Sequence, residues 1–207
     1  MYTMDDDEVV RRVCAGEAEM FEVVIRRYNR RLYRVTRAIL KDDAEAEDAM
    51  QQAYLSAYTH LVQFGHSASF AIWLTRVAVN EALARARRAR RYTPPAAEDG
   101  GVSCFRTPEE GAAAVDALPE IYRVVFVLRE LEGLSTAETA ACLELDDDAI
   151  KVRLHRAKRL LRDDLLERAG GARAGTYAFH LGRCERITNA VMTHILAMES
   201  ALAHLSS

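Results

Sequence analysis

The stretch 134-LSTAETAACLELDDDAIKVRLHRAKRLLR-162 changes character halfway along. Its first part begins with Ser135 and Glu138 at the spacing of a capping box, in which the serine and glutamate side chains bond each other's backbone amides at a helix start. A tight turn then leads to Asp146, which is well placed to cap a second, strongly cationic helix. Two short helices joined in this way predict a helix-turn-helix.

The cationic helix separates two kinds of side chain when it is projected at about 100° per residue. The apolar residues that we expect to face the core are Ile150, Leu154, Ala157 and Leu161. An exposed cationic face suits the major groove of duplex DNA, because arginine reads guanine and valine contacts the methyl group of thymine. A solvated surface helix with salt bridges is the alternative interpretation. The candidate DNA-contacting residues are Asp148, Lys151, Val152, Arg153, His155, Arg156 and Arg159, with Lys158 on the flank.

The rest of the chain has the apolar spacing of helices. A second helix is predicted over about 43–64, and a third begins near Ser69 and runs into the basic segment 85–91, RARRARR. We expect Trp73 of the third helix to pack in the core rather than to stack on DNA. A further helix spans 119–133, and no segment alternates like a half-buried strand, so the predicted class is all-α. The first long helix is predicted from a stripe formed by Ala18, Phe21, Val24, Tyr28, Leu32, Val35 and Ile39.

Two segments with little apolar periodicity divide the chain. Residues 92–111, YTPPAAEDGGVSCFRTPEEG, contain paired prolines and paired glycines, which are typical of a flexible linker. The sequence GGARAG at 170–175 marks a second boundary. We therefore expect two small helical domains, 1–91 and 112–169, that move independently, followed by a C-terminal extension, 170–207.

The extension carries one predicted amphipathic helix, from Glu185 to Leu205. An exposed apolar stripe of this length is unfavourable in water, so we expect the helix to pack on one of the two domains or on a partner. The stripe consists of Ile187, Val191, Ile195, Met198 and Leu202.

Composition argues against several classes of protein. The net charge of −3 conceals separate acidic and basic runs, which indicate both a basic and an anionic partner. No stretch is apolar enough to span a bilayer and the N-terminus lacks the features of a signal peptide, so we expect a cytoplasmic protein without membrane insertion. The four cysteines are scattered, and His180 with Cys184 supplies too few ligands for a structural zinc site. No set of catalytic residues stands out, so the sequence predicts neither a metal, a cofactor nor an enzyme.

Three longer stretches resemble a known family. The segments 42-DDAEAEDAMQQAYLSAYTHLVQF-64 and 70-FAIWLTRVAVNEALARARRARR-91 resemble region 2 of bacterial sigma-70-type factors. The segment 118–161, which contains the predicted helix-turn-helix, resembles region 4. Two such regions joined by a short linker resemble the extracytoplasmic-function (ECF) sigma factors, and the resemblance covers roughly residues 6–168.

The resemblance implies roles for particular residues. In the family, a helix with an A-E-D-x-x-Q pattern docks on a coiled coil of the polymerase β′ subunit, which here implies Glu47, Asp48, Gln51, Gln52 and Leu55. The family's reader of the −10 element is a loop and the helix after it, and unstacked bases there are bound by their edges. The corresponding loop residues are Phe64, Gly65, His66 and Ser67, and the helix supplies Arg76, Val77 and Asn80, with Arg85 and Arg88 as phosphate contacts. The exposed face of the cationic helix corresponds to the −35 reader.

The implied function is that of a sigma factor, which binds the β′ and β subunits of core RNA polymerase, reads the −35 duplex and melts the −10 element of promoter DNA. An anti-sigma factor is a further candidate partner, and we expect a monomer in the free state and an extension that modulates access to DNA or polymerase. Asp147 and Asp148 depart from the small residues of many relatives and repel phosphate, although Asp148 could accept from a cytosine amine.

Two alternatives remain at this point. A helix-turn-helix regulator that never binds polymerase is disfavoured by the polymerase-docking pattern around Glu47. A helical protein that sequesters a partner is disfavoured by the basic clusters of both domains.

Overall fold

The predicted helices occur in the predicted order, and they are preceded by a helix at Asp6–Cys14 that was not predicted from the sequence. The computed structural model describes residues 4–64, 69–92, 114–167 and 181–205, and these residues form helices and no strand. Of the predicted linker, only Tyr92 lies among them. The helices are α1 (Asp6–Cys14), α2 (Phe21–Leu40), α3 (Asp43–Thr59), α4 (Phe70–Tyr92), α5 (Glu120–Phe126), α6 (Thr136–Leu143), α7 (Asp147–Glu167) and α8 (Leu181–Leu205), with 3-10 turns at Ala18–Met20 and Leu61–Gln63 and a π-helical turn at Val127–Leu131.

Helices α2, α3 and α4 pack against one another and enclose the first part of the core. The predicted stripe of α2 is buried along its whole length, which confirms the first helix. Helix α3 faces it with alanines, whose small side chains allow close approach. Met50 and Tyr54 are the larger buried residues of this helix, and the hydroxyl of Tyr54 donates to the backbone carbonyl of Ile25 at 3.2 Å. The buried alanines of α3 are Ala46, Ala49, Ala53 and Ala57.

Helix α3 ends earlier than the sequence predicts. The prediction carried this helix to residue 64, whereas the structure ends it at Thr59. The hydroxyl of Thr59 donates to the carbonyls of Leu55 and Ser56, and such local bonds compete with the helical ladder. The chain then forms the 3-10 turn Leu61–Gln63, in which Leu61 is buried in the core.

The predicted helix-turn-helix is present as α6 and α7. Ser135 accepts from the amide of Glu138 at 3.2 Å, and the carboxylate of Glu138 accepts from the amide of Ser135 at 2.6 Å, so the capping box is confirmed. Glu144 adopts a left-handed conformation with φ 54° and ends α6. Asp146 then caps α7 by accepting from the amide of Ala149 at 2.7 Å.

The helix-turn-helix unit, formed by α5–α7, packs against the unit formed by α1–α4. Arg123 of α5 is 1% exposed, and it donates to the backbone carbonyl of Ala38 on α2 and to that of Leu118 at 2.7 Å. The side chain of Glu132 is 6% exposed and lies 3.3 Å from Arg31 and 3.2 Å from Arg34. The sequence predicts two units that move independently, and in this structure they share a charged interface.

Helix α8 lies against α2 and α3. It begins at Leu181, four residues before the predicted start, and Ile187, Val191 and Ile195 are buried as predicted. The prediction fails for Met198 and Leu202, which are exposed because the end of the helix extends past the apolar surface that it covers.

In the part of the chain that the structure describes, no helix combines the length and apolar character needed to cross a bilayer.

Candidate polymerase and DNA interfaces

The outer face of α3 carries the residues assigned to polymerase. Asp48 and Gln52 are exposed, with the side chain of Asp48 60% accessible, and Gln51 and Leu55 are half-buried. Glu47 is different, because its side chain is only 15% exposed. The five residues lie on one side of the helix, since spacings of three and four residues return to the same face.

Charged groups converge at the start of α3. Asp43 lies 2.7 Å from Arg37 and 2.8 Å from Arg183, and it accepts from the hydroxyl of Tyr33 at 3.0 Å. Burial alone would raise the pKa of Asp43, but hydrogen bonds from Arg183 and two further donors lower it below its ordinary value. Glu47, one turn further along, faces Arg183 as well. The acidic start of α3 is therefore largely neutralised by arginines.

The candidate −10 surface is built on α4. Arg76 and Asn80 are exposed one turn apart on the same face, and Val77 is half-buried beside them. Arg88 is exposed near the end of the helix. Arg85 is instead tied to α3, because it bonds Glu45 at 3.0 Å.

The ring of Phe64 does not lie at the surface. It is 5% exposed and contacts Phe70 at 5.3 Å and Trp73 at 5.5 Å between ring centroids. This aromatic cluster agrees with the interpretation of Trp73 as a packing residue. Phe64 supports the start of the loop from inside, so a direct DNA contact of its ring would need a rearrangement. The predicted loop residues Gly65, His66 and Ser67 lie outside the described residues.

Helix α6 of the helix-turn-helix unit packs on α4, next to the candidate −10 surface. Cys142 is fully buried there, and its thiol points to the backbone carbonyl of Ile72 at 3.9 Å. Burial raises the pKa of Cys142 to about 11. This contact could not be predicted from the sequence, because the two residues are about 70 positions apart and neither helix carries a pattern that specifies the other.

The candidate −35 face of α7 is exposed as predicted. Val152 is 51% exposed, although an isolated valine favours burial, and this is the exposure that a contact with a base would require. Lys151 lies 2.8 Å from Asp148, and this hydrogen bond lowers the pKa of Asp148. Arg153 is half-buried, whereas Asp148, Lys151, His155, Arg156 and Arg159 are exposed.

Two neighbours hold the cationic side chains of α7. Arg156 donates to the hydroxyl of Tyr122 on α5 at 3.2 Å, and Lys158 lies 2.9 Å from Glu130. Sequence reasoning missed Tyr122, because nothing in its own helix pattern indicates a partner on another helix.

Among the described residues no group of three His, Cys, Asp or Glu side chains could hold a metal ion.

The chain is similar to known proteins along most of its length. The family model for sigma-70 region 2 matches residues 24–92, and the model for sigma-70 region 4 matches residues 112–161. The ECF RNA polymerase sigma factor SigM of Mycobacterium tuberculosis is 34% identical over 161 residues, covering 75% of this chain and 82% of SigM. The ECF RNA polymerase sigma-E factor of Escherichia coli is 27% identical, covering 76% of this chain and 93% of that protein.

Two solved structures resemble the fold. The structure of CnrH in complex with the cytosolic domain of CnrY has a TM-score of 0.59 at 23% identity, covering 78% of this chain and 97% of CnrH. The sigma factor RpoE of Bartonella quintana, solved in complex with the anti-sigma factor NepR, has a TM-score of 0.57 at 19% identity, covering 72% of this chain and 97% of RpoE.

Proposed function

This chain belongs to the ECF sigma factors of the sigma-70 family, and from that premise we propose which of its surfaces serve polymerase and which serve promoter DNA. It is an RNA polymerase sigma factor, with core polymerase and promoter DNA as its partners. Sigma factors in general are non-catalytic initiation factors, and we propose that this chain likewise has no catalytic activity and works in the cytoplasm beside its polymerase.

The polymerase-binding surface is the outer face of α3. Asp48 and Gln52 present a carboxylate and an amide to solvent at the centre of this face, with Leu55 as an apolar neighbour. Mixed polar and apolar contacts of this kind fix the register of a docked helix through side-chain hydrogen bonds. The observation that carries this proposal is that an exposed polar face remains on the helix whose other side is buried in the core.

Promoter recognition is divided between α4 and α7. Asn80 of α4 offers an amide that both donates to and accepts from the edge of an unstacked base, and Arg76 adds charge beside it. Arg156 of α7, whose guanidinium donates to Tyr122, would read a guanine in the −35 duplex. Arg88 contributes phosphate contacts, which add affinity without base preference.

We also infer an anti-sigma factor among the partners of this chain. The support is that the similar RpoE structure was solved with the anti-sigma factor NepR bound. Such a partner would recognise one or both of the surfaces described above.

Transcription with purified core polymerase over a promoter library tests the polymerase surface. The double variant Asp48→Arg, Gln51→Ala should bind core more weakly and initiate less transcription, while Asp163→Arg, an equal charge change at an exposed site on α7, should bind core like the parent chain. A folded parent chain without affinity for core polymerase would disprove the assignment of α3.

Duplex binding separates base reading from phosphate binding. Arg156→Ala should weaken −35 binding by about 1–3 kcal/mol and relax the preference at one base position. Arg88→Ala should lower affinity for promoter DNA evenly across sequences. If Arg156→Ala weakened binding equally on all DNA sequences, Arg156 would contact the DNA phosphates rather than read a base.

A further inference from the structure

Helix α8 occupies a groove between α2 and α3, and its direction follows from contacts at its two ends. Near its start, Arg183 lies 2.8 Å from Asp43, which begins α3. Near its end, Glu199 accepts from the hydroxyl of Tyr58 at 2.7 Å, one residue before α3 ends. Helix α8 therefore runs parallel to α3 along most of its length.

The groove holds α8 by apolar packing and by a polar contact with α2. Ile187, Val191 and Ile195 are each no more than 1% exposed, at successive turns of the helix. From α2, Asn29 donates to the Sγ of Cys184 at 3.1 Å. These contacts fix one face of α8 and the rotation of the helix about its axis.

The arginines of α8 are aimed at one edge of the polymerase-binding face. Arg183 Nε lies 2.8 Å from Glu47 Oε1 as an ion pair, and its guanidinium stacks on the ring of Tyr33 at 4.2 Å from the ring centroid. Arg186 donates to both carboxylate oxygens of Glu47, at 3.0 and 3.2 Å. These two arginines explain why Glu47 is nearly buried while its neighbour Asp48 is open.

We propose that the α2–α3 groove is a docking surface for an amphipathic helix with basic residues at its start, and that α8 occupies it in competition with core polymerase. The inference rests on the proposed function, in which Glu47 belongs to the polymerase-binding face. Core polymerase meets Asp48 and Gln52 directly, whereas full use of Glu47 requires Arg183 and Arg186 to leave it. The C-terminal helix thereby sets the affinity of the chain for polymerase.

Charge reversal at Arg186 tests the competition with little risk to folding, because this side chain is 64% exposed and its described bonds go to Glu47. In the full-length chain, Arg186→Glu should tighten binding to core polymerase by about two- to fivefold, the scale of one exposed ion pair. Arg11→Glu is the matched control, since Arg11 is exposed on α1 and its ion pair among the described residues is with Glu8 of the same helix. The control should bind core like the parent chain.

A second pair of variants detaches the apolar side of α8. Ile195→Asp places a charge in the buried seam and should tighten core binding by more than Arg186→Glu does. Leu196→Asp makes the same change at the adjacent exposed position and should leave core affinity unchanged. Circular dichroism and thermal unfolding of each variant establish that α1–α7 remain folded.

Hydrogen exchange tests the competition in the parent chain, without any substitution that could disturb folding. On addition of core polymerase, the amides of α8 should lose protection while those of α3 keep theirs. Core binding with unchanged affinity in Arg186→Glu and Ile195→Asp, or α8 amides that stay protected in the complex, would overturn the competition and leave the proposed function intact. A parent chain and variants that all fail to bind core would overturn the proposed function itself.

Discussion

At the scale of single residues, Ser135 and Glu138 have a role that is local and measurable. Their two hydrogen bonds satisfy backbone amides that would otherwise be unpaired at the start of α6. The loss of an N-cap side chain typically costs about 0.5–2 kcal/mol. Ser135→Ala should therefore lower the free energy of unfolding by about 1 kcal/mol in urea titrations, and Ser135→Thr, which keeps the hydroxyl, should lose less. Equal losses in the two variants would show that the cap does not stabilise the protein.

Acid should weaken the protein through the same cap and through the start of α3. The backbone amide of Ser135 lowers the pKa of Glu138 below its ordinary value of 4.5, and the hydrogen bonds from Arg183 lower that of Asp43 below 3.8. A carboxylate with a lower pKa in the folded state stabilises it above the unfolded pKa, and this contribution is lost as the pH falls through the folded pKa.

Between about pH 7 and pH 5, these two carboxylates should leave the free energy of unfolding unchanged. Below about pH 4.5, their protonation should lower the free energy of unfolding. Glu138→Gln should make the decline less steep in urea titrations at each pH. An unchanged slope in Glu138→Gln would mean that this carboxylate has the same pKa in the folded and unfolded states.

Arg123 shows what a residue-by-residue analysis of the sequence cannot supply. Its position in α5 predicts an ordinary charged surface residue, yet the guanidinium is buried among backbone carbonyls of both units. The carbonyl of Ala38 that it bonds belongs to the end of α2, 85 residues earlier. A buried charge needs partners, and the carbonyl of Ala38 becomes one only after the two units have packed.

At the scale of elements, α7 has two faces with separate tasks. Ile150 is fully buried, whereas Val152, two residues further along, is exposed. Ile150→Ala should lower the free energy of unfolding by about 2–5 kcal/mol, because it removes buried methyl groups and leaves a cavity. Val152→Ala should change stability by less than about 0.5 kcal/mol but lower affinity for one −35 sequence. Calorimetry and duplex titration of both variants measure the two effects, and a large stability loss in Val152→Ala would show that this face is packed.

The elements that could be predicted are those whose signals are local. Helices α2, α6 and α7 carry their own apolar stripes, caps and turns, and periodicity alone predicted which face of α7 is exposed. The end of α3 could not be predicted, because the choice between another helical turn and a 3-10 turn depends on whether Leu61 finds a core to enter. The exposure of Met198 and Leu202 on α8 could not be predicted either, because their apolar stripe is longer than the surface on which the helix packs.

The candidate sites divide in the same way. Periodicity predicted the exposed face of α7, because a helix fixes which of its own side chains point together, whereas the candidate residues of α3 and α4 were implied by the family resemblance. The partners across helices could not be predicted: Tyr122 beside Arg156, and the arginines of α8 beside Glu47. Those contacts depend on the relative placement of helices that are distant in sequence.

At the scale of the whole molecule, the helix-turn-helix unit packs on the unit that carries the candidate −10 surface. Glu132 is held by two arginines of α2, and Cys142 is buried against α4 at the backbone carbonyl of Ile72. Simultaneous contact with −10 and −35 elements requires the two readers to lie apart along the DNA. We therefore expect polymerase to bind an open arrangement, in which the interface around Glu132 is broken.

The thiol of Cys142 reports on this opening. In the closed structure it is buried, and its pKa of about 11 keeps it protonated, so that an alkylating reagent at pH 8 should modify it slowly. Core polymerase should accelerate its alkylation, as measured by mass spectrometry of the digested chain. Cys14, which is exposed on α1, provides the internal reference for reagent access.

A charge reversal in the interface should produce the same opening without polymerase. Glu132→Lys places a cation beside Arg31 and Arg34, and a loss of about 1.4 kcal/mol of interface energy raises the open population tenfold. Cys142 of this variant should therefore react about ten times faster than in the parent chain. Glu130→Lys breaks an exposed pair with Lys158 inside the helix-turn-helix unit, so Cys142 should keep its slow rate there. Rapid alkylation in the parent chain, or equal rates in the two variants, would show that the contact between the units does not control access to the −10 surface.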